Sequence, residues 1–253
     1  MGEFTKVDAA SQPQKTGNQT QLKRPVIRFI SGKSRGNPPK SNNPGGSRNS
    51  CPNVQPQALV YTPQPDGFTL SDRPTFWLYF PYQLVSNLTP DTKVTNQVLQ
   101  SDMRVRLIVR ELSDNQAIYD SGKKQVKIAA PGFVALRLPA EKTLAVGKKY
   151  RWMVELYCGG PKRVPNAIEG IVERVGVPSQ TIETQLKQAK TDLDRLQIYA
   201  QNGFWYETVD GLIRLREKMP EDLQIQENWQ RLLEEAQIKD LKDQKIQELE
   251  IQP

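Results

Sequence analysis

The sequence predicts a mainly β protein with a helical part: an antiparallel β-sandwich, then a small helical region, with a disordered tail in front. Three observations carry this. Nine short strand-like segments between residues 55 and 176 are separated by turn residues, with no helical pattern between them. From Pro178 onward the apolar spacing changes to threes and fours. Residues 1–54 are poor in apolar residues and rich in Gly, Pro, Asn, Ser and Lys/Arg. The expected organisation is a tail over 1–54, a sandwich over 55–176 and a helical region over 177–253 packed on the sandwich.

The tail comes first. Ser31 to Arg48 has almost nothing to bury, so ordering it would not be repaid. Its one apolar island, Val26-Ile-Arg-Phe-Ile30, can dock on the domain as a short strand or stay separate.

Strands are expected over 58–61, 68–70, 75–80, 104–112, 117–120, 125–129, 133–138, 150–157 and 167–175. In the fourth, Val105, Leu107 and Val109 share one face, with Arg104, Arg106 and Arg110 opposite. In the seventh, Val134, Leu136 and Leu138 share a face. Turns are expected at Pro65-Asp-Gly67, Asp120-Ser-Gly122 and Pro131-Gly132. The stretch Leu144-Ala-Val-Gly147-Lys-Lys-Tyr150-Arg-Trp152-Met-Val154 resembles the tyrosine corner of immunoglobulin-like and fibronectin type III sandwiches. It implies that the Tyr150 hydroxyl bonds to backbone a few residues upstream and that Trp152 is a core residue.

In the helical region Ile182, Leu186, Ala189, Leu193, Leu196 and Ala200 form one stripe, read as one helix capped by Ser179 or Thr181 and ended by Asn202-Gly203. A second helix runs from Phe204 to Lys218 and stops before Pro220; a third starts near Glu221-Asp222 and carries Trp229, Leu232, Leu233 and Ala236. Residues 238–251 are helical by propensity and highly charged, so fraying is expected. Tyr199, Gly203, Thr208, Leu212, Leu215 and Pro220 match one tetratricopeptide unit in part; one such unit cannot bury its own face and needs something to pack on.

Charge follows the same division. Residues 1–50 hold nine Lys/Arg against two Asp/Glu, the whole net +7. The sandwich segment to residue 176 is +5 and the helical remainder −5. There is no histidine, which excludes Ser-His-Asp and Cys-His catalysis and His-ligated metals. No carboxylate pair is placed together by the sequence, so no catalytic residue, cofactor ligand or metal ligand is assigned and the expectation is a non-enzyme. Glu207 and Asp210 read as the solvated side of their helix. No run of about 18 apolar residues is present, so no membrane-spanning helix is expected. Met1-Gly-Glu-Phe-Thr-Lys6 lacks the apolar core of a secretory leader.

Cys51 ends the tail and Cys158 ends the strand that carries Trp152. Their polar, turn-like flanks are unlike those of core cysteines, and a disulfide is favoured over two free thiols. Closing so long a loop is worth about 4–5 kcal/mol in the chain-entropy model, and it implies an oxidising compartment. The basic tail invites a reading as a grip on nucleic acid or anionic surfaces, but only Phe29 is available for base stacking and a solvated linker is preferred. The aromatic strand and helix start, Trp77, Tyr79, Trp205 and Tyr206, are expected at the interface between sandwich and helices; a glycan platform is the alternative if these rings are exposed.

Several segments taken together resemble the largely cyanobacterial family known as domain of unknown function 928. They are Gly45-Gly-Ser-Arg48 with Cys51; Ala58-Leu-Val60; Thr69-Leu-Ser-Asp-Arg-Pro-Thr-Phe-Trp-Leu-Tyr-Phe-Pro-Tyr82; Val146-Gly-Lys-Lys-Tyr-Arg-Trp152 with Cys158; Glu169-Gly-Ile-Val-Glu-Arg-Val175; and Tyr199-Ala-Gln-Asn-Gly-Phe-Trp-Tyr206. The resemblance spans about residues 35–235. It implies a secreted or envelope-facing protein and supplies no catalytic or ligand-binding residues. The expected role is an interaction or structural module outside the cytoplasm, in the periplasm or secreted, with a protein as partner.

Overall fold

The computed structural model describes residues 27–29, 51–52, 54–61, 66–88, 96–159, 165–176 and 179–251. Most of the tail therefore lies outside the described residues, and with it the reading of residues 1–54 as disordered. Residues 27–29 are the exception. Ile27 is buried with its amide donating to Asn228 Oδ1 at 2.8 Å, and Phe29 packs on Trp205 with ring centroids 5.2 Å apart. Ile27 and Phe29 pack on the helices.

The chain forms β1 (Gln57–Ala58), β2 (Asp66–Thr69), β3 (Phe76–Phe80), β4 (Gln83–Val85), β5 (Gln97–Leu99), β6 (Met103–Glu111), β7 (Ala117–Asp120), β8 (Lys124–Lys127), β9 (Gly132–Leu136), β10 (Lys148–Cys158) and β11 (Asn166–Arg174). Then follow α1 (Gln180–Gln188), α2 (Asp192–Gln201), α3 (Trp205–Lys218), α4 (Leu223–Glu235), a 3-10 turn at Lys239–Leu241 and β12 (Glu250–Ile251). The class is β plus α.

Two sheets make the body. A seven-stranded sheet has the order β12-β8-β6-β10-β11-β2, with β7 also paired to β6. A three-stranded sheet has the order β1-β3-β9. Their facing sides meet where Phe76 stacks on Trp152, ring centroids 5.1 Å apart. Alternation along β10 sends Tyr150, Trp152, Val154 and Leu156 inward and leaves Arg151, Met153 and Glu155 outside. Trp152 pairs across strands with Gly170, and a Cβ at Gly170 would lie 2.6 Å from the indole. Only glycine lets that ring lie flat against β11.

The pairing corrects one expectation. The sandwich is expected to be antiparallel, and most of its strand pairs are, yet β2 pairs β11 in parallel, and so does β4 with β5. Strand direction is set by long-range crossovers that leave no local pattern. Strands β4, β5 and β12 are also additions to the nine expected segments.

The helical region differs in two places. The stripe from Ile182 to Ala200 is not one helix: it breaks after Ala189, and Thr191 opens α2 with a capping box to Asp194. No residue of α1 is buried, whereas α2 buries Leu193, Leu196 and Ala200. The second difference is the end of the chain. After a turn at Lys242-Asp243, residues 245–251 run extended rather than as a fraying helix. Phe133 N–H donates to Lys245 O (2.8 Å), Gln247 N–H donates to Phe133 O (2.8 Å), and Glu250 and Ile251 pair with Lys127 and Val126. Arg216 and Trp229 both donate to the Lys242 carbonyl. A short, highly charged helix has little to hold it, whereas the open edges of β9 and β8 offer this segment backbone partners. Among the described residues no helix is long and apolar enough to cross a membrane.

Candidate functional site

The informative region is the seam where α3 meets both sheets. Its geometry begins at Gly203, whose φ of +76° turns the chain from α2 into α3. The Gly203 carbonyl accepts from Phe68 N–H at 3.1 Å, tying that turn to β2. Gly67 lets the first turn of α3 sit directly on the strand, since a Cβ there would meet Tyr206 at 2.8 Å and Trp205 at 3.0 Å.

From that position the two aromatics diverge. Trp205 donates from Nε1 to Leu59 O at 2.9 Å and packs against Tyr61 and Phe29. Tyr206 enters the space between the sheets. Its hydroxyl accepts from Trp152 Nε1 at 2.7 Å and donates to Ile171 O at 3.1 Å, while its ring meets Phe76 edge-on. On the other face of β3, Trp77 donates from Nε1 to Asp210 Oδ1 at 3.1 Å, and the Tyr79 ring lies edge-on to Phe133, which in turn meets Trp229 of α4. Trp77, Tyr79, Trp205 and Tyr206 are all buried, at 4–9 % exposure. The four rings lie between strands and helices, not exposed as the glycan alternative requires of them.

Two carboxylates expected on the solvated side are instead part of the seam. Asp210 accepts from Trp77 and Arg137 on Oδ1 and pairs with Arg214 through Oδ2 at 2.8 Å. Arg137 is oriented in turn by its Nε, which donates to Thr75 Oγ1 at 2.8 Å. Glu207 Oε1 accepts from Thr69 Oγ1 (2.7 Å), Leu70 N–H (2.8 Å) and Ser71 N–H (3.1 Å). Its other oxygen, Oε2, is buried with no partner. Burial pushes the Glu207 carboxyl above the ordinary glutamate range, and the three donors only partly hold it down. Sequence periodicity missed both because α3 buries a wide arc, from Trp205 through Leu215, leaving few positions for solvent. The usable signal was the turn Thr69-Leu-Ser71, whose amides needed an acceptor.

These groups line a cleft of about 370 Å³ between Ser71–Thr75, Arg137-Leu138 and the Tyr206–Arg214 face of α3. The described interactions give the Arg73 guanidinium no ion pair. The cleft thus combines three arginines, two hydroxyls and an unpartnered carboxylate oxygen. It can bind polar, charged groups; among the described residues no cluster of His, Cys, Asp and Glu has the arrangement of a metal site.

The remaining sequence candidates lie elsewhere. Cys51 and Cys158 form a disulfide with Cα atoms 4.8 Å apart, joining the residues ahead of β1 to the end of β10. Tyr150 is buried and its hydroxyl accepts from Ala145 N–H at 2.9 Å, five residues upstream. Leu144 is buried beside it, its amide donating to Asp72 O, and Gly147 holds φ +78°.

No curated protein matches the chain. A family model described as Domain of Unknown Function (DUF928) matches residues 43–246, which takes in both sheets apart from β12, the disulfide, α3 and the cleft. The chain belongs to the DUF928 family.

Proposed function

We propose that this protein is a non-enzymatic interaction module that works outside the cytoplasm, at the cell envelope or secreted, with a protein as its partner. The Cys51–Cys158 disulfide carries the reading, because such bonds persist in oxidising compartments. The absence of histidine from the sequence supports the non-enzymatic half. Two finer readings of the body accompany it. The two sheets are an immunoglobulin- or fibronectin-like sandwich, supported by the Ala145–Tyr150 bond. The α2–α3 pair is a single tetratricopeptide-like unit, supported by the close packing of Gly211, whose Cβ would meet Leu196 at 2.3 Å.

The test is capture from the envelope fraction of the source cell with the disulfide-intact chain, alongside thiol alkylation of the native protein. The expected result is a retained protein partner and no alkylatable cysteine. Two free thiols in freshly isolated protein would remove the compartment argument.

A further inference from the structure

We propose that the cleft at the seam binds an acidic saccharide, its carboxylate held by Arg73 and Arg137 and its hydroxyls donating to Glu207 Oε2 and Asp72. The site goes beyond the protein-interaction role and does not depend on it.

The three guanidiniums of the cleft carry more N–H donors than their partners there take up. Arg137 engages Thr75 through Nε and Asp210 through Nη2, and Arg214 engages Asp210 through Nη2. One carboxylate thus fixes two guanidiniums at the same wall, with donors left over. Arg73 stands exposed on the facing loop, with only its backbone amide bonded, to Ser71 Oγ at 3.1 Å. Planar guanidinium donors match a carboxylate in a two-bond fork.

The opposite need sits on the floor. Glu207 Oε2 is a buried acceptor with no partner, and such an atom is unfavourable until something donates to it. Sulfate supplies no donor, and a phosphate dianion, with a single O–H, brings a second negative charge toward Glu207, Asp210 and Asp72. A neutral sugar leaves the guanidiniums without an anion. An amino acid brings both groups, but its ammonium would sit among three cationic side chains. A sugar acid brings a carboxylate and several hydroxyl donors with no positive charge. Ser71 and Thr75 add hydroxyl partners, and Pro74 and Leu138 offer a small apolar wall to the C–H side of a sugar ring. The volume, about 370 Å³, lies within the range of small-ligand sites.

The test titrates the full chain, disulfide intact, with trimers of galacturonate, glucuronate and mannuronate by calorimetry. Controls are the methyl esters of the same trimers, inorganic phosphate and free glutamate. Saturable binding of at least one uronate trimer is expected, about tenfold or more tighter than its ester. Arg73→Ala and Arg137→Ala should each weaken it by about tenfold. Glu207→Gln, which exchanges the acceptor Oε2 for a donor, should weaken it too. That variant alters three internal bonds, so Arg73→Ala, exposed and unpaired, is the decisive one. Absence of saturable binding by all three trimers overturns the proposal. So does equal binding of the esters, of phosphate or of glutamate, or binding indifferent to Arg73→Ala. Envelope capture of a protein partner is read separately, so either idea can fail without the other.

Discussion

The indole Nε1 of Trp152 donates to the hydroxyl of Tyr206 at 2.7 Å, and through this bond a helix is anchored in the middle of a β core. The same hydroxyl donates onward to Ile171 O, so one oxygen joins β10, β11 and α3. Tyr206→Phe keeps the ring against Phe76 but leaves a buried N–H and a part-buried carbonyl without that partner. The expected loss is about 1–3 kcal/mol in unfolding free energy, read from urea denaturation. A change below a few tenths would mean that water takes over the hydroxyl's place.

Gly170 faces the same indole. A methyl group there would meet Trp152 at 2.6 Å and Val60 at 2.7 Å. Gly170→Ala is expected to destabilise by about 1–3 kcal/mol through overpacking. Gly122→Ala provides the contrast: φ is +64°, but nothing lies within 4 Å of the added carbon. Its effect is expected to be about 1–2 kcal/mol of backbone strain alone, with the near-ultraviolet dichroism of the tryptophans unchanged. Gly170→Ala should alter that signal.

Reducing the Cys51–Cys158 bond releases a constraint across 107 residues. The expected loss is at most about 4–5 kcal/mol, seen as a lower denaturation midpoint with reductant and in the Cys51→Ser/Cys158→Ser double variant alike. An unchanged midpoint would show that the bond confers no equilibrium stability.

Two carboxyls give acid dependence of opposite sign. Glu207 has a raised value in the folded state, so the native form holds its proton where the unfolded form has lost it. Its contribution is greatest below the unfolded value and declines as pH rises toward the folded one. The Asp120 carboxyl, bonded first to Arg106, is held down to about 2. Its contribution is present above the unfolded value and is lost as pH falls toward about 2. Both partners of that pair are about one-third exposed, so the effect is small. Against pH, the stability of wild type relative to Glu207→Gln should therefore fall as pH rises from the ordinary glutamate range, while wild type relative to Asp120→Asn should rise only between about 2 and the ordinary aspartate range and stay flat above it. A flat Glu207→Gln difference would mean that Oε2 finds water or a ligand when charged.

The alternating strands were legible because one face of each is core. Val105, Leu107 and Val109 pointed inward as their spacing implied, and Trp152 lies at the centre. The cysteine pair was legible from flanks unlike those of core cysteines. What was not legible was set at a distance. Nothing near Gly67 or Val172 records that β2 and β11 run parallel. Nothing in α3 marks Glu207 as an acceptor for a turn more than a hundred residues away. The cleft escaped for the same reason: Arg73, Arg137 and Asp210 come from three separate elements, and only the docking of α3 unites them.

The extended segment at the end of the chain has a consequence for assembly. Residues 245–247 pair with β9 and residues 250–251 with β8, so one short stretch closes an edge of each sheet. Until it is in place, Phe133 and the β8 edge present unpaired backbone of the kind that recruits a neighbouring chain. Closure of both sheet edges thus waits on residues 245–251, far in sequence from the strands they cover. A fragment ending near residue 240 would carry an intact interior and two open seams, and its characteristic failure would be self-association rather than unfolding.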